Sequence, residues 1–130
     1  MKRIVENKKI KESTKEIILD LCEKIVNKIG EDKIDKIILY GSYARGDYDD
    51  DSDINLLFIL NEENLKDKNL RELRMDIINF SYDYEYNNDF TFIISPIIKE
   101  KRDYIENKNK KPLFINIEKE GNLVYEFNEP

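Results

Sequence analysis

The sequence predicts an α/β (α+β) fold, a small mixed β-sheet flanked by helices, and three observations lead there. Two long stretches repeat apolar residues at three-and-four spacing, the period of a helix with one buried face. Short apolar runs at 35–40, 53–60 and 89–95 read as strands. The second and third runs are joined by a long helical stretch, which calls for a parallel crossover within one sheet.

Taken in order, Ser13-Thr14-Lys15-Glu16 has the form of a capping box, and Ile18, Leu21, Cys22, Ile25 and Ile29 then follow at helical spacing until Gly30. This predicts a helix over 12–29, with Cys22 on its buried stripe as a structural thiol. The run 35–40 ends at Gly41 and suits a buried strand. The run 53–60 is another, closed by the polar break Asn61-Glu62-Glu63-Asn64. Leu70, Leu73, Ile77, Phe80 and Tyr84 predict a second long helix ending near Asn87-Asn88. Residues 89–95, aromatic and β-branched, predict a third strand that stops at Pro96. A charged helix and loop are expected over 97–110. Pro112 opens a last short helix carrying Leu113, Phe114 and Ile117, Gly121 closes it, and 122–127 returns as an edge strand. No repeat, linker or domain boundary is visible, so 1–130 is expected to be one domain, a size that buries roughly two thirds of the unfolded surface.

Composition narrows the chemistry. The chain has one cysteine and no histidine, which removes disulfides, Cys/His zinc sites, Ser-His-Asp triads and imidazole acid–base catalysis together. A net charge of −6 disfavours general nucleic-acid binding. No apolar run approaches the roughly twenty residues of a membrane span, and Met1-Lys2-Arg3 leads into more charge, so the expectation is a cytoplasmic protein with no membrane contact.

One pattern carries chemistry. Gly41-Ser42 follows the first strand, and ten residues later Asp53-Ile54-Asn55 opens the second. Glycine at a strand end permits a tight turn and close approach to a ligand, and Ser42 adds a hydroxyl to the N–H groups of that turn, making a small anion cradle. Arg45 is open between a phosphate contact and an ion pair with a nearby aspartate. Residues two apart on a strand share a face, so Asp53 and Asn55 point together beside the cradle while Ile54 and Leu56 point into the core. Oxygen ligands next to a phosphate site suit Mg²⁺, which takes carboxylates plus substrate phosphates.

The segment Gly41-Ser42-Tyr43-Ala44-Arg45-Gly46 through Ser52-Asp53-Ile54-Asn55-Leu56 resembles the signature of the DNA polymerase β-like nucleotidyltransferase superfamily, specifically its minimal nucleotidyltransferase branch. That signature is Gly-Ser, ten residues, then Asp-x-Asp. The ending Pro112 to Gly121 also resembles tails of this branch. The resemblance implies a nucleotidyltransferase fold, Mg²⁺ and ATP, and transfer of a nucleotidyl (AMP) group to a hydroxyl acceptor. It also implies a partner, because proteins of this branch are often antitoxins that pair with a helical HEPN-type toxin. Asp53, Asn55 and a third acid on the neighbouring strand would be the catalytic and metal residues. Gly41, Ser42 and Arg45 would bind the nucleotide. Asp89 is the candidate third acid, since the start of a parallel third strand lies level with the start of the second; Asp83 and Glu85, at a helix end, are the fallback.

Asn55 stands where the signature has its second acid. An amide oxygen can ligate a metal but brings no charge and accepts no proton readily. The alternative reading is therefore a weakened or inactive homologue, acting as a non-catalytic antitoxin or nucleotide-binding module. A small-molecule nucleotidyltransferase is a further rival, which would need a second domain, a partner or a second copy to complete its pocket. Homo- and hetero-oligomers are both open. The acids at Asp47, Asp49, Asp50 and Asp51 do not make an EF-hand, whose glycine would fall at Ser52 and whose closing Glu at Phe58. The aromatics Phe80, Tyr82, Tyr84, Tyr86, Phe90 and Phe92 are assigned to core packing and a helix end rather than base stacking.

Overall fold

The computed structural model describes residues 1–65 and 69–128. Its elements are β1 (Lys2–Arg3), α1 (Glu12–Ile29), β2 (Ile34–Tyr40), α2 (Ser42–Arg45), β3 (Asp53–Leu60), α3 (Leu70–Asn87), β4 (Ile93–Glu100), α4 (Lys101–Asn107), α5 (Pro112–Glu120) and β5 (Asn122–Glu126), with short 3-10 turns at Ile4–Glu6 and Glu62–Asn64. The strands form one mixed sheet in the order β1-β5-β2-β3-β4. β2 is antiparallel to β3 and to β5, whereas β4 lies parallel to β3, as the long α3 crossover requires.

Period-two alternation divides the sheet between two cores. Ile37, Leu39, Ile54, Leu56, Phe58 and Leu60 pack with α1 and with Leu73 and Ile77 of α3 on one face. Ile38, Leu57 and Ile59 pack on the other with Tyr104 of α4 and with Phe114 and Ile117 of α5. Gly121 lets α5 end directly on β2, because a Cβ there would lie 2.5 Å from the Ile117 carbonyl oxygen and 2.7 Å from Ile38.

Four sequence expectations change. The α1 capping box does not form: Lys11 is the N-cap, Ser13 and Thr14 fall inside the first turn, and the Lys11 N–H is satisfied instead by the Tyr48 hydroxyl oxygen at 3.2 Å. The third strand begins at Ile93 rather than 89, because Asp89 and Phe90 adopt left-handed φ values of 56° and 53° and prolong the turn after α3. It also runs through Pro96. The Ile94 N–H points away from β3 to the Glu85 carboxylate at 2.6 Å, and Pro96, two residues on, directs its missing donor the same way, so no ladder bond is lost. Finally, β5 is not an edge strand, since β1 pairs beside it in parallel.

Candidate functional site

The turn after β2 has the conformation that its glycine allows. Gly41 sits at φ 81°, ψ −154°, and a Cβ there would lie 2.6 Å from the Asn55 Nδ2, so the backbone passes directly beneath that amide. Ser42 starts the single turn of α2, which Gly46 ends at φ 87°. Tyr40 pairs with Asn55 across the antiparallel ladder, so the Gly41 turn leaves β2 at the end where β3 opens with Asp53. The turn and the start of β3 therefore share one end of the sheet, although ten residues separate Ser42 from Asp53.

Arg45 is committed to internal partners. Its Nε donates to Asp47 Oδ2 at 3.2 Å, and its Nη1 to both oxygens of Glu120 at 3.2 and 3.3 Å. Those carboxylates, Asp47 first, hold the guanidinium more firmly protonated. Glu120 also accepts the Gly41 N–H at 3.2 Å, so one carboxylate at the end of α5 ties the strand end and the far end of α2 together. Of the two roles open to Arg45, the ion pair is the one present. Glu120 was invisible in sequence; its only signal was an acid next to Gly121.

On β3, Asp53 and Asn55 share the face of Leu57 and Ile59, beyond the part that α5 covers, and both are half-buried. Tyr40 is also half-buried there, and desolvation pushes its phenol pKa up, so it remains a protonated donor. From β4, the register sets Ile93 beside Asp53 and Ser95 beside Asn55. Ser95 donates its hydroxyl to Asp53 Oδ2 at 3.0 Å, orienting the carboxylate. Its sequence signal was a single hydroxyl residue in an apolar strand.

Asp89 does not stand at a strand start. It is exposed in the turn, four residues before Ile93, the partner of Asp53. Of the fallback acids, Asp83 is exposed as expected, but Glu85 is 8% exposed and occupied by the Ile94 N–H. The acids of 47–51 form a solvated loop as read: Asp49 accepts from the Asp51 N–H and the Ser52 hydroxyl, and Tyr48 stacks on Tyr43 at 4.3 Å between ring centres. The aromatic group divides. Phe80, Tyr84 and Phe92 pack against the core, whereas Tyr82, Tyr86 and Phe90 are exposed along the last turns of α3 and the turn after it. A groove of about 460 Å³ lined by Asp35, Glu62, Lys101 and Arg102 lies at the opposite end of β3, away from this face.

The donor set at the face is one carboxylate, one amide and one hydroxyl. Among the described residues no group of three Cys, Asp or Glu side chains could hold a metal. That set fits a single Mg²⁺ carried in by phosphates, because Mg²⁺ needs only one or two protein carboxylates beside its substrate. It does not fit a two-metal centre, which needs a second acid to bridge the ions.

The nucleotidyltransferase domain family matches residues 15–123, which include all of this face. Two proteins of Methanocaldococcus jannaschii named as candidate protein adenylyltransferases are similar: MJ0141 at 41% identity over 85 residues, 65% of this chain and 78% of that protein, and MJ1305 at 35% over 118 residues, 85% and 70%. A solved toxin–antitoxin structure with AMP-PNP shares the fold, with a TM-score of 0.50 and 13% identity over 83% of this chain and 73% of its own. With the Gly-Ser turn, the Asp53 strand and the mixed sheet all in place, the chain belongs to the nucleotidyltransferase domain family.

Proposed function

We propose that this chain binds ATP with one Mg²⁺ at the Gly41–Ser42 turn and Asp53, and transfers AMP slowly to a hydroxyl of a partner protein. The observation behind this reading is the pairing of Tyr40 with Asn55, which brings the Gly41–Ser42 turn to the end of β3 that carries Asp53, with Gly41 close against Asn55. Ser42 and the N–H groups of its turn would take the distal phosphates. Asp53 and Asn55 would hold the Mg²⁺, which when bound neutralises phosphate charge. In the transfer, a bond forms from the acceptor oxygen to the α-phosphorus and the bond to pyrophosphate breaks. Asp53 is the carboxylate at hand for the acceptor's proton, and neither Asn55 nor Ser95 offers a second base. Asp89, exposed in its turn, takes no part in this reading, and Arg45 acts by fixing the turn through Glu120 and Asp47. The names of the relatives favour a protein acceptor, the toxin–antitoxin neighbour favours a toxin as that protein, and the HEPN type is what the family resemblance implies.

Calorimetry with ATP tests the reading. Binding is expected with Mg²⁺, and the isosteric Asp53→Asn change should weaken it about tenfold or more by removing the one charged ligand. Metal-independent binding of equal strength in both proteins would reject it. A second reading, an antitoxin that neutralises its partner by contact without transfer, is favoured by the amide at Asn55 and the hydroxyl at Ser95. ATP labelled at the α-phosphate separates the two: transfer of label to the partner supports the enzyme, and binding without label supports the contact.

A further inference from the structure

Helix α3 shows solvent a side that its partners leave uncovered. Met75, Ile78, Tyr82 and Tyr86, spaced three, four and four residues apart, are 48%, 42%, 58% and 64% exposed, and Phe90 in the following turn is 49% exposed. They form one ridge about 16 Å long at 1.5 Å per residue. Phe90 packs edge-on against both Tyr82 and Tyr86 with ring centres 5.9 Å apart, and it does so from a left-handed backbone that bulky residues avoid. A strained turn thus holds an aromatic side chain out to water. With three aromatics near half exposure, each leaving about 100 Å² of ring uncovered, the ridge reaches the size of functional patches.

Charge says what kind of surface would cover it. From Met75 to Ile98 the chain has no Lys or Arg, although it carries 22 elsewhere, while the exposed acids Asp83 and Asp89 fall beside the aromatic end of the ridge. Nucleic acid and anionic lipid are repelled by such a rim. A second copy in an antiparallel two-fold arrangement would bring the Asp83 flank against itself. An apolar ridge with Asp83 and Asp89 beside its aromatic end instead complements a helix with apolar residues on one side and Lys or Arg beside them, packed ridge into groove. We propose that the α3 ridge of Met75, Ile78, Tyr82, Tyr86 and Phe90 docks such an apolar and basic helix of another protein. Ile93, 53% exposed, belongs to the opposite sheet face, beside Asp53. The ridge therefore lies on the other side of the sheet from the candidate site. The docking itself does not depend on transfer taking place there.

The probes are two synthetic helical peptides with the same leucine stripe, one flanked by lysine and one by glutamate, titrated by NMR and calorimetry into the full chain. The lysine peptide is expected to bind with shifts confined to α3 and the 88–92 turn. Affinity should fall about tenfold or more for the glutamate peptide, for Tyr82→Ser with Tyr86→Ser, and for Asp83→Lys with Asp89→Lys. All four changed side chains are exposed, so circular dichroism should show folded variants, and ATP binding should be unchanged in them, which keeps this test separate from that of the nucleotide site. Equal affinity for both peptides, no binding, or shifts elsewhere would overturn the proposal. So would sedimentation showing a dimer of the wild-type chain that the serine variant dissociates, since a second copy would then cover the ridge.

Discussion

Gly41 is where backbone conformation and chemistry meet. Its φ of 81° with ψ −154° belongs to glycine, and any Cβ would press on the Asn55 amide at 2.6 Å. Gly41→Ala is expected to cost about 1–3 kcal/mol in denaturant unfolding, the range for a residue forced into a sparsely populated region. ATP affinity should fall as well, because the same methyl group displaces Asn55. Asn55→Asp probes the opposite direction: restoring the second negative charge should raise label transfer from ATP about tenfold or more through tighter metal binding. Equal transfer rates before and after that change would refute the charge argument. Asp53 and Asn55 were legible as a pair because alternation along a strand is a local property. Ser95 and Glu120 were not, because they reach Asp53 and Arg45 across 42 and 75 residues of sequence.

At the scale of elements, α1 and α3 are joined side by side over the sheet by a short polar link. The Tyr84 hydroxyl donates to Asp20 Oδ2 at 2.6 Å, and Lys24 donates to the same oxygen at 3.0 Å. The hydrogen bond from Tyr84, then that from Lys24, lowers the Asp20 pKa. A carboxylate with a lowered folded pKa contributes stability above its unfolded value of about 3.9, and that contribution is lost as pH falls through the folded value. Tyr84→Phe should therefore destabilise the protein by about 0.5–1 kcal/mol at neutral pH, the lower end for a hydrogen bond at a solvent-exposed carboxylate. Urea titrations of wild type and variant should converge as the pH is taken below the ordinary aspartate range. A difference that persists unchanged in acid would show that packing, not the charged pair, links the helices. Both helices were legible from their periodicity. The start of β4 was not, because the left-handed pair Asp89-Phe90 is stabilised by contacts with Glu85 and α3 rather than by its own residue types.

For the molecule as a whole, one sheet face is covered by α1 and α3 and the other only partly by α4 and α5, which leaves Tyr40, Asp53, Asn55 and Ser95 facing outward. No helix of the described residues is long and apolar enough to cross a membrane. Cys22 lies in the larger core at 2% exposure, and burial pushes its thiol pKa well up. It should react with a thiol reagent only as the whole core opens, so labelling in native buffer should match the global unfolding equilibrium measured with denaturant. Labelling that is fast and independent of denaturant would place a local opening at α1. By itself the sequence determined helices α1, α3 and α5, the β2 and β3 strands, the Gly-Ser turn and the outward pair Asp53 and Asn55, because periodicity, glycine and short-range spacing act within a few residues. Only the tertiary structure decided that Ser95 rather than Asp89 stands beside the pair, that Arg45 is held by Glu120, and that half of the α3 aromatics face water. Each of those depends on strand register and helix packing, which are settled by the summed contacts of segments far apart in the chain.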